Sequence, residues 1–488
     1  MKQRVSIPHA PMAVIATMFA CGIIVAHFVE LSLFVWVVIG CSLLLLGVLQ
    51  SRLRWLFLLL SVASFGGANL QLRHTFPTPP QQTPIAGTVE ISGTSKATTW
   101  GAWQCDADIV DWEGNRSNRK LKVTYSSDKP YPVGTRLKCK FTIKPVTHES
   151  YARLLEVRGF EGYATLSDIQ PIGHRTTLRY RAQRIQQAAV ERIQRLNLTP
   201  NEEVIAEAMI LGYRGNITQD LRQDYADTGS SHILAVSGLH VGIVFILINV
   251  FLLLLPMVRY GHIAKNIAAI VLIWAFAFVS GLSPSVIRAA IMFSLMQLGF
   301  ALSVTNNSLN AICGAAFLML AFDPMYLFDI SFQLSYIAVL GITFTYQPLF
   351  NRIRSESRIL NGIWSMLIVS LCASIAVMPL IAYTFGSISI IGILLSPAIV
   401  ILAHISIITG LVWCMMPFDL MAPVVRFIMQ RSLEWQNQII GSTADLSFSA
   451  LEWTPSAISV IIIYIVYLAL CFGLRYFATR RTQPIVFE

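Results

Sequence analysis

Charge is what this chain lacks. Of its 488 residues 13% are Asp, Glu, Lys or Arg and 55% are hydrophobic, where a soluble domain carries about 25% charged residues. So few ionic side chains cannot cover a soluble globule of this length, so a soluble fold is excluded and an integral membrane protein is implied. Also missing is a small-residue cleavage site after the first apolar run. Two more such runs follow it directly, so it reads as a span and not as a signal peptide. Metal-binding signatures are absent: the sequence holds no H-x-H-x-D-H and no tight H-x-x-x-H pair, and no metal or other cofactor is expected.

Long apolar runs are present instead, near 12–29, 33–49, 55–72, 233–255, 264–281, 285–302, 308–322, 330–347, 361–383 and 456–477, on the scale of a hydrocarbon core of ~30 Å. The stretch 388–416 contains Pro397 and reads as one tilted span or two short ones, for about eleven or twelve crossings. Basic residues resist translocation. Lys2, Arg4, Arg52, Arg54, Arg259, Lys265, Arg352, Arg354 and Arg358 therefore fall on the inner side of the membrane, and residues 73–231 on its outer face. Placing Arg475, Arg480 and Arg481 inside as well favours two crossings at 388–416.

The expected organisation is three N-terminal transmembrane helices (1–72), an external β domain (73–174), basic and amphipathic connecting helices (175–231), a second transmembrane domain (232–479) and a cytoplasmic tail (480–488). In the external segment the periodicity switches to two. Within GTRLKCKFTIK, Leu137, Cys139, Phe141 and Ile143 share one face, and Arg136, Lys138, Lys140 and Lys144 share the other. WQCDADIVDW repeats the alternation, with Cys105 on the core side. About five short strands in this segment suit a small barrel of the oligonucleotide/oligosaccharide-binding type. Cys105 and Cys139 are the two cysteines of this segment, and in an oxidising compartment they form a candidate disulfide. The other six lie in apolar runs as small filler.

The net charge of +10 suits positive-inside loops and anionic lipid as well as a polyanion partner. Candidate single-strand contacts on the barrel are Lys120, Lys122, Arg136, Lys138, Lys140 and Lys144, with Trp100 and Trp112 as aromatic surface. The bland alternative is a solvated strand face with tryptophans packing the barrel, and the acidic cluster Asp106, Asp108, Asp111 and Glu113 counts against a uniformly basic groove. The arginine-rich stretch 175–195 reads as a helix, with Arg179 and Arg184 among its exposed cations. It fits a membrane surface or a collar for a phosphate backbone.

Inside the membrane region, HILAVSGLHVGIV holds His232, Ser237 and His240, with Gly238 and Gly242 as a close-packing pair. Arg288 lies in an apolar run four residues after Pro284, near Ser285. Asp329, Gln333 and Tyr336 follow i, i+4, i+7 spacing on one expected helix face, and Asp329 is the expected partner of Arg288. Such groups mark a water-filled path or fix helix register. Ser237 and His240 as nucleophile and base lack a third member and an oxyanion hole; His232 and His240 are too loosely spaced for a metal pair.

Taken together, AMILGYRGNI, TGSSHILAVSGLHVGIV, GLSPSVIRAAIM and DISFQLSYIAVLGI, in this order after YARLLEVRGFEGYA, resemble the ComEC-type family of competence DNA-uptake channels. The resemblance implies a polytopic α-helical membrane protein with an inserted small OB-like barrel, passing single-stranded DNA to the cytoplasm. It implies a DNA receptor and pilus machinery outside, and DNA-handling proteins inside. Many members carry a C-terminal metallo-β-lactamase-like domain. This chain reads as a short form without it, a transport channel and not an enzyme, so a separate nuclease would degrade the other strand. The competing readings are a transporter of another anionic polymer or lipid-linked glycan, and an intramembrane hydrolase.

Overall fold

The computed structural model describes residues 10–50, 52–75, 78–98, 100–117, 119–146, 149–253, 261–301, 308–351, 357–416, 419–444 and 451–481. In chain order the elements are α1 (Pro11–Phe28), α2 (Leu33–Leu49), α3 (Arg54–His74), β1 (Pro84–Ile91), β2 (Lys96–Ala97), β3 (Trp103–Trp112), β4 (Asn115–Arg116), β5 (Lys120–Tyr125), β6 (Thr135–Lys144), α4 (Glu149–Val157) and β7 (Phe160–His174). Then come α5 (Leu178–Gln194), α6 (Pro200–Leu211), α7 (Gln219–Asp227), α8 (Gly238–Phe251), α9 (Gly261–Val279), α10 (Pro284–Ala301), α11 (Ser308–Phe322), α12 (Ile330–Phe350), α13 (Arg358–Phe385), β8 (Ser387–Ile388), α14 (Ile390–Met415), α15 (Ala422–Ala444), β9 (Leu451–Glu452) and α16 (Ala457–Arg481).

Two compact units form. The first comprises 1–185 and 248–329, the second 186–247 and 330–488. The residues expected as a single transmembrane domain, 232–479, are thus shared between both.

In the first unit α1 and α3 pack backbone to backbone. A Cβ at Gly22 would lie 1.7 Å from the Ala63 carbonyl oxygen, and one at Gly66 would lie 2.3 Å from that of Phe19, so only glycine permits the crossing. On the other side of α3, Ser61 Oγ donates to Gly40 O at 3.0 Å and Ser64 Oγ to Trp36 O at 2.7 Å, tying it to α2. Helix α11 joins α1 through Asn310 Oδ1, which accepts from Met12 N at 3.0 Å, and through the rings of Phe19 and Phe317.

The β domain follows α3. Its pairings run β1–β6–β7–β5–β3 and return from β3 to β1, so five strands form a circuit in which β5 and β7 are parallel and the rest antiparallel. Alternation places Leu137, Cys139, Phe141 and Ile143 inward, beside Val89, Ile91, Cys105, Ala107, Ile109, Leu121 and Val123. These are the core positions that the period of two predicts.

The expected Cys105–Cys139 disulfide is not formed; both thiols are free and buried. Cys139 pairs with Gly87 of β1, whereas Asp106, next to Cys105, accepts from the amides of Ser92 and Gly93 beyond the far end of β1. That offset is about six residues, or roughly 20 Å along a strand, well beyond the Cα separation a disulfide spans. Burial pushes each thiol up to about 12.

In the second unit one apolar core joins α6, α14 and α15 through Ile205, Met209, Ile210, Ile399, Ala403, Ile407, Met429 and Leu433. Helix α6 starts with a capping box, Thr199 N donating to Glu202 Oε2 at 3.0 Å. Helices α12 and α13 pack where Gly341 meets Ala376, a Cβ at Gly341 falling 2.5 Å from the alanine methyl.

Among the described residues five helices are long and apolar enough to cross a membrane: Pro11–Phe28, Arg54–Arg73, Gly261–Val279, Arg358–Phe385 and Ile390–Met415. Five shorter apolar ones accompany them, Leu33–Leu49, Gly238–Phe251, Pro284–Phe300, Ser308–Phe322 and Ala457–Gly473. The expected span 330–347 corresponds to α12, which belongs to neither group. The stretch 388–416 forms the single helix α14 with Pro397 inside it, in place of the two crossings that the flanking charges favour. At ~1.5 Å per residue it is about 39 Å long, more than the hydrocarbon thickness, so tilt and not a break accommodates it. Lys2, Arg4, Arg259, Arg352, Arg354 and the tail from 482 onward lie outside the described residues.

Candidate functional site

Helix α8 begins directly after Ser237. The backbone N–H of Ser237 donates to His240 Nδ1 at 3.2 Å, and the imidazole is buried. In a neutral ring the hydrogen is then on Nε2. The S-x-x-H spacing thus supplies one half of a capping box, with the third helical residue reaching back to the amide before the helix. The contact on His240 Nδ1 is therefore with the serine backbone and not with its hydroxyl. Gly238 and Gly242 are half-buried one turn apart. His232 lies on an exposed turn, its Nδ1 3.2 Å from Gly229 O. Gly229 itself has φ +67°, and a Cβ there would meet Ser389 at 3.0 Å, so glycine is required both by conformation and by space.

Arg288 is buried on α10, with Ser285 half-buried one turn earlier. Asp329, expected opposite Arg288, accepts from Nε of Arg158 at 3.2 Å; its side chain is 2% exposed. Asp329 is extended, with φ −76° and ψ 123°, and immediately precedes α12. It therefore stands at the N-cap position, one turn before Gln333, and not within the helix face expected to carry all three residues. Gln333 is half-buried and Tyr336 buried, its ring 4.4 Å from that of Phe332.

Arg158 ties the β domain to the segment between α11 and α12, and α3 reaches the same segment through Arg73. Arg73 Nη1 bonds Asp323 Oδ1 at 2.5 Å, and the same oxygen accepts from Met325 N at 3.0 Å. Arg119 pairs with Glu161 at 3.2 Å. Burial pushes the Glu161 carboxyl up, against the opposing pull of Arg119. None of these pairs is visible in the sequence, because their members are far apart along the chain; Arg158 and Asp329 are separated by 171 residues.

On the β domain the predicted cations divide. Arg136 pairs with Glu90 at 2.9 Å, Lys122 with Asp106 at 3.2 Å and Lys140 with Asp168 at 2.8 Å. Lys120 is in register with Asp108. Lys120 and Lys122 also lie 6.0 and 5.2 Å from the centroid of the Phe160 ring, within range of a cation–π contact. The β3–β5 face is therefore close to neutral. The surplus is on β6, where Lys138 and Lys144 are exposed. Trp112 packs against the core of the β domain, while Trp100 is 92% exposed.

Helix α5 turns Arg179, Arg181 and Arg184 outward. Arg192 faces the other way. Its guanidinium lies 4.0 Å from the Trp413 ring, donates to Met416 O at 3.0 Å and pairs with Asp419, while Trp413 Nε1 donates to Arg192 O at 2.8 Å. Reading α5 as uniformly cationic missed this inward anchor. Sequence reasoning also missed Gln436, whose amide donates to the Tyr225 hydroxyl at 2.8 Å, and Glu207, which accepts from Gln194 Nε2 at 2.9 Å.

These features define a multi-pass helical membrane protein with a small β domain after its third helix and polar side chains buried among its helices. The model of the competence protein family matches residues 209–480, and the chain belongs to that family. It is similar to ComE operon protein 3 of Bacillus subtilis (strain 168), 27% identical over 254 residues, which is 51% of this chain and 31% of that protein. It is also similar to an uncharacterized protein of Aquifex aeolicus (strain VF5), 32% identical over 184 residues, 38% of this chain and 40% of that protein. The chain thus matches less than half the length of either relative. No solved structure matches.

Proposed function

We propose that this protein is an inner-membrane channel that passes single-stranded DNA to the cytoplasm during natural transformation. Residues 73–231 face outward and the five-strand circuit works as a barrel of the oligonucleotide-binding type. The observation that carries this reading is the family match over 209–480, which takes in His232, Ser237, His240, Arg288, Asp329, Gln333 and Tyr336. A phosphate chain cannot cross hydrocarbon unhydrated, so its path needs water, hydrogen-bonding groups and cations along the wall. Arg288, with Ser285 and Gln333, supplies groups of that kind, while His240 holds the start of α8. Outside, Lys138, Lys144 and the arginines of α5 attract the incoming strand. A receptor and pili deliver DNA, cytoplasmic proteins collect it, and a separate nuclease removes the other strand.

Deleting the gene in a naturally transformable host is expected to abolish uptake of added DNA while DNA still binds the cell surface. Complementation with Arg288→Ala, accumulating at parental level, is expected to restore less than a tenth of the parental transformation frequency. Normal transformation in the deletion strain would remove the proposal.

A further inference from the structure

Arg195, one residue past the end of α5, and Arg426, in the second turn of α15, line an open pocket of about 380 Å³ together with Asn197, Phe427 and Gln430. No acid lines it, and among the described residues neither arginine has an ion-pair partner. Asp419, just before α15, is paired with Arg192. Nothing acidic occupies the first turn of α15, so the positive end of its macrodipole adds to the two guanidiniums. Three sources of positive potential thus converge without compensation inside the protein.

The rest of the rim is apolar, formed by Leu196, Ala422, Pro423 and Phe427. Phe427 is exposed, as are Leu420, Met421 and Val424 of the same segment, and α14, long and apolar enough to cross a membrane, ends at Met415. The start of α15 on the pocket wall follows the end of α14 by seven residues, so a crossing by α14 would bring the pocket close to the lipid headgroups. We infer that it binds the phosphate headgroup of an anionic phospholipid, the guanidiniums holding the phosphate and the rim covering the first acyl carbons. A DNA strand would satisfy the cations but leave the rim in water, so lipid is the better occupant. The inference rests on the chain being in a membrane and not on its conducting DNA.

The test uses the full chain purified in detergent, with its thermal unfolding followed as phosphatidylglycerol, phosphatidylcholine or a short single-stranded oligonucleotide is added. Phosphatidylglycerol is expected to raise the midpoint and phosphatidylcholine is not. In the double variant Arg195→Gln/Arg426→Gln the apparent affinity for phosphatidylglycerol is expected to fall about tenfold or more, as for lost charge-assisted bonds. Lys138→Gln/Lys144→Gln should retain it. Should the double variant not accumulate, Arg426→Gln alone is read the same way, against phosphatidylglycerol retained in native mass spectra. Equal responses to the two lipids, an unchanged response in the arginine variant, or an arginine-dependent response to the oligonucleotide in place of phosphatidylglycerol each overturn the inference.

Discussion

His240 and Ser237 divide their work in a way that substitution can read. The bond to Nδ1 comes from the serine backbone, so Ser237→Ala keeps it, and transformation is expected within about twofold of the parent. His240→Ala loses a cap, at about 1 kcal/mol, and is expected to lower the thermal midpoint. Complete loss of function in Ser237→Ala alone would support the nucleophile reading. Glu207 gives a pH test. It is fully buried, and burial raises its pKa, so the folded state holds the proton more tightly than the unfolded chain. The stability this brings is present below the ordinary carboxyl value and is lost as pH rises through the raised one. Glu207→Gln mimics the protonated form and still accepts from Gln194. Its midpoint is expected to exceed the parent's at pH 8 and to match it near pH 4, each tenfold of proton affinity being worth about 1.4 kcal/mol. A gap independent of pH would assign the stabilisation to packing.

At the scale of elements, the strands were legible because a period of two separates buried from exposed positions residue by residue, as Leu137 to Lys144 show. Helix α14 was less so. A proline in an apolar run marks a break in water, but in a packed bundle neighbours compensate for its missing donor, and Pro397 sits within a continuous helix. Contacts between distant segments left no trace in spacing, and Arg158 with Asp329 is the main instance. Arg158→Ala removes one partner from a buried carboxylate. The arginine is itself 45% exposed, so solvent screening limits the loss to about 1–2 kcal/mol. Arg158→Ala combined with Asp329→Asn is expected to be less destabilising than the sum of the single variants, measured by chemical denaturation. Strict additivity would mean that this pair does not join the β domain to the segment after α11.

For the whole molecule, composition alone established the membrane class, because 13% charged residues leave no other solution. What composition could not give is how charge is distributed once the sheet forms. The acidic cluster and the lysines occupy successive stretches of the sequence, yet pairing neutralises β3–β5 and leaves Lys138 and Lys144 uncovered on β6. If single-stranded DNA is drawn to the protein through its phosphates, these two lysines govern the salt dependence of binding and the paired ones do not. For the full chain in detergent, Lys138→Ala/Lys144→Ala is expected to flatten the slope of log affinity against log salt by about 1.4, from ~0.7 per phosphate contact. Lys122→Ala, which also frees Asp106, is expected to leave the slope nearly unchanged while weakening binding slightly at all salt concentrations. The reverse pattern would move the DNA track to the β3–β5 face, where Phe160 lies under Lys120 and Lys122, and would make stacking rather than surplus charge the guide of the strand.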